Sequence, residues 1–166
     1  MSLGIITIII SFLLDGLISN FISINTSLFT PLFTLTSLII IYPYFYNKEG
    51  KYLLCSFLMG VLYDITYTNT FGLNSLLFLV VGLMTKKINT YISNNLINNV
   101  FKLIVVIIVY RLITYILLIF VNYINSDISL VLKSIYSSLI LNIIYLIIIN
   151  IVTNYIARKK HIVRIN

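Results

Sequence analysis

Long apolar runs alternate with short polar ones along this chain, and that alternation sets its elements. Leu3 to Ile22 is apolar apart from Asp15 and a few small or polar side chains, which predicts a first helix. Thr30-Pro31 has the form of a helix start, with Thr30 as N-cap and Pro31 at the first helical position, so a second helix is expected over 31–46. It closes in Tyr42-Pro43-Tyr44-Phe45-Tyr46, followed by Asn47-Lys48-Glu49-Gly50-Lys51. Tyrosine beside lysine is what a membrane interface selects, because the ring is apolar and the hydroxyl wet. As one helix, residues 52–85 would measure roughly 50 Å, against a hydrocarbon core of about 30 Å. The polar break from Thr66 to Gly72 divides them into a hairpin with arms 52–66 and 72–85. Lys86-Lys87 opens an asparagine-rich loop, and a fifth helix is expected over 100–121. After a polar turn in which Asp127 can act as a cap, a sixth runs over 131–156. Arg158-Lys159-Lys160-His161 and Arg164 close the chain.

Charge placement decides how these runs sit. With six spans and the N-terminus inside, the inner segments hold Lys48, Lys51, Lys86, Lys87, Lys102, Arg158, Lys159, Lys160 and Arg164, nine of the eleven basic residues. Lys133 lies near an outer loop and Arg111 within a span. A single crossing by residues 52–85 would put the 48/51 and 86/87 lysine pairs on opposite sides, against the positive-inside rule. The expected fold is therefore all-α and integral to the membrane: one domain over 1–166, a six-helix transmembrane bundle with both termini cytoplasmic. Composition agrees, with 60% hydrophobic residues, 9% charged and a mean hydropathy of +1.08, where a soluble domain carries about 25% charged. Topology, rather than nucleic acid, accounts for the net charge of +7. Met1-Ser2-Leu3-Gly4 lacks the basic start of a cleaved signal, so the first run is expected to stay as a helix. Cys55, the one cysteine, excludes an internal disulfide and reads as packing filler.

Three ionisable side chains fall inside the apolar runs: Asp15, Asp64 and Arg111. Each costs roughly 2.5–3.5 kcal/mol at a helix centre and so needs a partner or a wet cavity. Counting the rise per residue places all three within about one helical turn of a common depth in the outer half. Arg111 is therefore expected to pair with Asp64 or Asp15; the plainer reading has Asp64 hydrated at the surface, ending its helix. A second pattern is the row Ser134, Ser138 and Asn142 on one face of the last helix, with Asn150 two turns on, which Ser56 and Gly60 repeat on the third. Small and polar residues at this spacing serve either as an internal seam or as a face for a partner's helix. Catalytic and metal chemistry have no candidates. His161 is the only histidine and lies in the basic tail, no cluster has metal-ligand spacing, and no serine or cysteine has a base. No cofactor and no enzymatic activity are expected.

The hairpin carries a resemblance. Gly60-Val61-Leu62-Tyr63-Asp64, followed by Phe71-Gly72-Leu73-Asn74-Ser75-Leu76-Leu77-Phe78 and Gly82, resembles the signature of the rod shape-determining MreD family. The resemblance implies a fold similar to the membrane-embedded substrate-binding subunits of energy-coupling-factor vitamin transporters. It also implies a non-enzymatic scaffold in the bacterial cell-elongation complex, set in the lipid of the cell membrane. There it would bind the transmembrane helix of MreC and help couple MreB filaments to peptidoglycan synthesis by RodA and a penicillin-binding protein. No nucleic acid is implied, and homo-oligomerisation stays open. Gly60, Asp64, Gly72, Asn74 and Gly82 match the hairpin motif, whereas Asp15 and Arg111 lie outside it. Ser134, Ser138, Asn142 and Ser56 are the candidate face for packing against the partner's helix. The alternative is a vitamin-binding transporter subunit, with Tyr63, Tyr67, Asn69 and Asn74 lining its pocket. A proton-coupled carrier would rest on Asp15 and Asp64 alone.

Overall fold

The computed structural model describes residues 2–21, 30–45, 47–68, 70, 72–122 and 127–160, and among these the chain forms helices and no strand. Helix α1 spans Ser2–Phe21, α2 Phe33–Ile41, α3 Glu49–Tyr63, α4 Leu73–Tyr91, α5 Leu96–Phe120 and α6 Ile128–Lys159. Of these, α1, α5 and α6 are long and apolar enough to cross a membrane. At 1.5 Å per residue they measure roughly 30, 37 and 48 Å. Their outward sides carry large apolar residues, Ile6 and Leu13 on α1, Ile116 on α5, Ile144 and Ile148 on α6, while Ser11, Asn142 and Thr153 are buried. An apolar exterior around a hydrogen-bonded polar interior suits a hydrocarbon surround.

The second helix departs from its expected 31–46. It begins two residues later, at Phe33, and gives way at Tyr42–Tyr44 to a 3₁₀ turn holding Pro43, whose missing N–H ends the α-helical ladder. Nine residues rise only about 14 Å, roughly half a hydrocarbon core. Every residue from Phe33 to Ile41 is buried, because α1, α4, α5 and α6 all pack around it. A segment that is mostly bulky and apolar, with its polar side chains Thr34, Thr36 and Ser37 satisfied internally, belongs at the centre of a bundle. Leu35, Leu38, Ile39 and Ile41 accordingly meet Phe78, Leu103, Ile107 and Leu146 in the main core.

Other boundaries shift outward. Helix α3 starts at Glu49 rather than 52 and ends in a π-helical turn, Asp64–Thr68. Helix α4 continues past Lys86-Lys87 to Tyr91, and α5 starts at Leu96 rather than 100. Lysine and asparagine allow a helix to extend into the headgroup layer, so hydropathy alone truncates such helices. Ile22, Tyr46, Asn69, Phe71, His161 and Arg164 lie outside the described residues.

Basic groups gather at one end of the bundle. Lys86 Nζ sits 2.5 Å from Glu49 Oε2, joining the far end of α4 to the start of α3, and its hydrogen bond to Glu49 holds the ammonium above the usual lysine range. Lys160 shares a cleft with Ser2 and Leu3, while Leu3 packs with Tyr44 and Ala157. Lys102, on the second turn of α5, is fully buried. Its Nζ donates to Asn89 Oδ1 at 2.7 Å, Asn94 Oδ1 at 3.0 Å, Asn99 Oδ1 at 3.4 Å and the Ser93 carbonyl at 3.3 Å. The asparagine-rich stretch expected as a loop is thus a cage for an ammonium.

Candidate functional site

The opposite end holds the hairpin motif. Asp64 is buried at the top of α3, and its carboxylate reaches across to the first turn of α4. Oδ1 accepts from Asn74 N at 2.9 Å and Asn74 Nδ2 at 3.0 Å, and Oδ2 accepts from Ser75 N at 3.0 Å. Thr70 Oγ1 adds a donor to Oδ1 at 2.6 Å. The first N–H groups of a helix have no intrahelical acceptor, and deep in a membrane protein they need one from elsewhere. Asp64 supplies it from the preceding helix, and the positive end of the α4 dipole favours its charge. Gly72, the N-cap of α4, has φ +85°, a conformation glycine adopts without steric cost. Gly60, one turn before Asp64, lets the helices touch: a Cβ there would lie 2.5 Å from both Asn74 O and Ser75 Cα. Asn74 needs both ends of its amide, donating to Asp64 and Thr68 while its Oδ1 accepts from Tyr110 Oη at 2.8 Å. Gly82 leaves room for Ser56, whose Oγ would be 2.9 Å from a Cβ.

Asp15 repeats the device on the central helix. Its Oδ1 accepts from Phe33 N at 2.7 Å, and its Oδ2 from Thr34 N at 2.8 Å and Thr34 Oγ1 at 2.6 Å. Asn142, from α6, completes the same helix start, accepting from Leu32 N at 2.9 Å and donating to Thr30 O at 3.1 Å. Both aspartates are therefore spent on backbone donors.

Arg111 is consequently not their partner, and the expected ion pair with Asp64 or Asp15 does not form. Its Nε donates to Ser138 Oγ at 2.9 Å, and its Nη2 to Ser138 Oγ at 2.5 Å and Thr30 Oγ1 at 2.7 Å. Thr30 is likewise not an N-cap; Leu32 takes that position, and the Thr30 hydroxyl serves Arg111. The candidate partner face is also corrected. Ser56, Ser138 and Asn142 are fully buried, Ser134 is part-buried with its hydroxyl turned to Val131 O, and the row on α6 meets this chain's own Thr30–Leu32 segment and Arg111. It is an internal seam.

Between these networks lies a cavity of about 350 Å³, lined by Thr30, Leu32, Tyr63, Asn74, Tyr110 and Arg111 among others. Tyr63 and Asn74, named in the vitamin-binding alternative, face it. Tyr67 instead packs over Gly16 and donates to Phe12 O at 2.7 Å, and Asn69 lies outside the described residues. Sequence reasoning missed Tyr110, Thr30 as an arginine ligand, and the Lys102 cage; the spacing of Asn89, Asn94 and Asn99 around one lysine was the available signal for the last. Among the described residues no group of three His, Cys, Asp or Glu side chains converges.

Comparison with curated proteins and with solved structures gives no match. The family model for the rod shape-determining protein MreD, however, matches residues 1–159, taking in both capping aspartates, the hairpin and all six helices. The chain belongs to the MreD family of rod shape-determining membrane proteins.

Proposed function

We propose that this chain is a non-enzymatic scaffold of the bacterial cell-elongation complex, crossing the membrane six times with both termini in the cytoplasm. It binds the transmembrane helix of MreC and so helps couple MreB filaments to peptidoglycan synthesis by RodA and a penicillin-binding protein. Family membership over residues 1–159 is the observation that carries this reading. The gathering of Lys86, Lys102 and Lys160 at one end supports the cytoplasmic placement of that end. A bundle whose polar side chains are engaged internally suits a scaffold, which must hold one shape while partners act on it. Because the serine–asparagine seam is occupied, the MreC helix docks on an outward apolar face, where dispersion contacts set the affinity. Affinity purification of the tagged full chain from native membranes tests the assignment. MreC is expected in the eluate, and its absence across several neutral detergents, with the chain still helical, would reject it. A cysteine at Lys87 should be labelled only from the cytoplasmic side; labelling from outside would reject the topology.

A further inference from the structure

Arg111 lines the 350 Å³ cavity and is the only charged residue in its wall among the described residues. The guanidinium has five N–H donors, yet among the described residues its hydrogen bonds all go to neutral hydroxyls, from Nε and Nη2 to Ser138 and Thr30. Neither Nη1 nor the hydroxyl of Tyr63, which lines the same cavity, has a hydrogen-bond partner among the described residues. Both carboxylates at this depth are consumed by helix starts. A cation inside a membrane bundle, backed by hydroxyls and with donors to spare beside an open space, is suited to an oxyanion. The volume is within the range of about 300–1,000 Å³ usual for ligand sites.

A second hollow, of about 210 Å³, adjoins this one and shares Arg111, Thr114 and Leu118 with it. It runs between α5 and α6, where Tyr115, Leu130, Val131 and Ser134 form the rest of its wall. Leu130 is exposed on the outer surface, so the hollow opens toward lipid. The two hollows therefore meet at one guanidinium, with Leu118, Leu130, Val131 and the Tyr115 ring giving the second an apolar side.

We propose that this pair of cavities binds an amphiphile with an oxyanion headgroup of the phosphate class, the head on Arg111 and Tyr63 and the alkyl tail along the α5–α6 groove. The assignment is independent of which partner helix the scaffold binds. A guanidinium fork matches two oxygens of a phosphate at once, and the groove gives the tail a path that a soluble anion would not need.

The test titrates the full chain, in neutral maltoside micelles, with dodecyl phosphate, inorganic phosphate and dodecanol, reading the melting temperature by far-UV circular dichroism. Dodecyl phosphate should raise it saturably, and the two fragments should act at least about tenfold more weakly, since each lacks half of the recognition. Arg111→Gln should weaken dodecyl phosphate by about tenfold or more through loss of the charged hydrogen bonds. Leu130→Trp, which fills the groove from its lipid-exposed side and leaves Arg111 in place, should weaken it too. Unchanged affinity in either folded variant overturns the proposal, and so does dodecanol binding as well as the phosphate. Inorganic phosphate binding as tightly as dodecyl phosphate would make this a site for a free anion and overturn the amphiphile. Should Arg111→Gln fail to fold, Leu130→Trp and the two fragments decide.

Discussion

Removing the Asp64 carboxylate strips the start of α4 of its acceptors while touching no apolar contact of consequence. Asp64→Ala leaves Asn74 N and Ser75 N, both buried, without the oxygens now 2.9 and 3.0 Å away. Each stranded buried donor costs about 1–3 kcal/mol, so the variant should lose about 2–6 kcal/mol, more than the roughly 0.5–2 kcal/mol of an exposed N-cap. Asp64→Asn keeps one oxygen but turns an NH₂ toward the other donor and forfeits the charge, and should lose about 1–3 kcal/mol. Equilibrium unfolding in maltoside micelles titrated with dodecyl sulfate, followed by circular dichroism, gives the order wild type, Asn, Ala. Amide exchange at Asn74 and Ser75 should quicken in both variants while the centre of α5 stays protected. If Asp64→Ala unfolds within about 0.5 kcal/mol of wild type, or those amides keep their protection, the carboxylate is not what holds α4, and the account of the motif fails.

Gly60→Ala should cost about 1–3 kcal/mol, because its Cβ meets backbone at 2.5 Å and not a side chain that can swing away; Gly50→Ala, with nothing within 4 Å, should be neutral or stabilise by up to about 1 kcal/mol in the same unfolding assay. The charge exchange Asp64→Arg with Arg111→Asp should rescue neither single reversal, since the two side chains serve different partners; recovery of folding in the double variant would restore the ion pair. Lys102→Ala, which leaves the oxygens of Asn89, Asn94 and Asn99 facing one another, should cost at least about 1.5–3 kcal/mol by the loss of charged hydrogen bonds. A loss below about 0.5 kcal/mol in that assay would mean the cage is incidental.

Helix order and the break after Asp64 were legible in the chain because hydropathy and helix length are local quantities. What the buried charges bind was not. A sequence shows that Asp15 and Arg111 are costly, but the donors that Asp15 satisfies belong to a helix start 18 residues on, and they are stranded only because α2 begins inside the bundle. Its depth follows from how four other helices enclose it, which no window of residues contains. The row of Ser134, Ser138 and Asn142 shows the same limit in another form. Spacing put these side chains on one face, but whether that face meets the same chain or another molecule depends on tertiary packing. Lys102 was misjudged because asparagines usually mark solvated turns, and only their convergence on one ammonium makes them a cage. The hairpin glycine and aspartate were recognisable as a pattern, and the distances now give the reason: one admits the neighbouring backbone, the other satisfies it.

The short central helix has a consequence for how the protein is made. Nine residues are too few to be retained in a bilayer on their own, and the segment that leads into them, Thr30–Leu32, is held by Asn142 and Ser138, more than a hundred positions downstream. While the ribosome is still extending the chain, Asp15 can secure one side of this junction, but the other waits for α6 to leave the translocon. A helix synthesised much later is thus the one that seats an early loop, and a nascent chain halted before Asn142 would be delivered to the membrane with its middle unfastened.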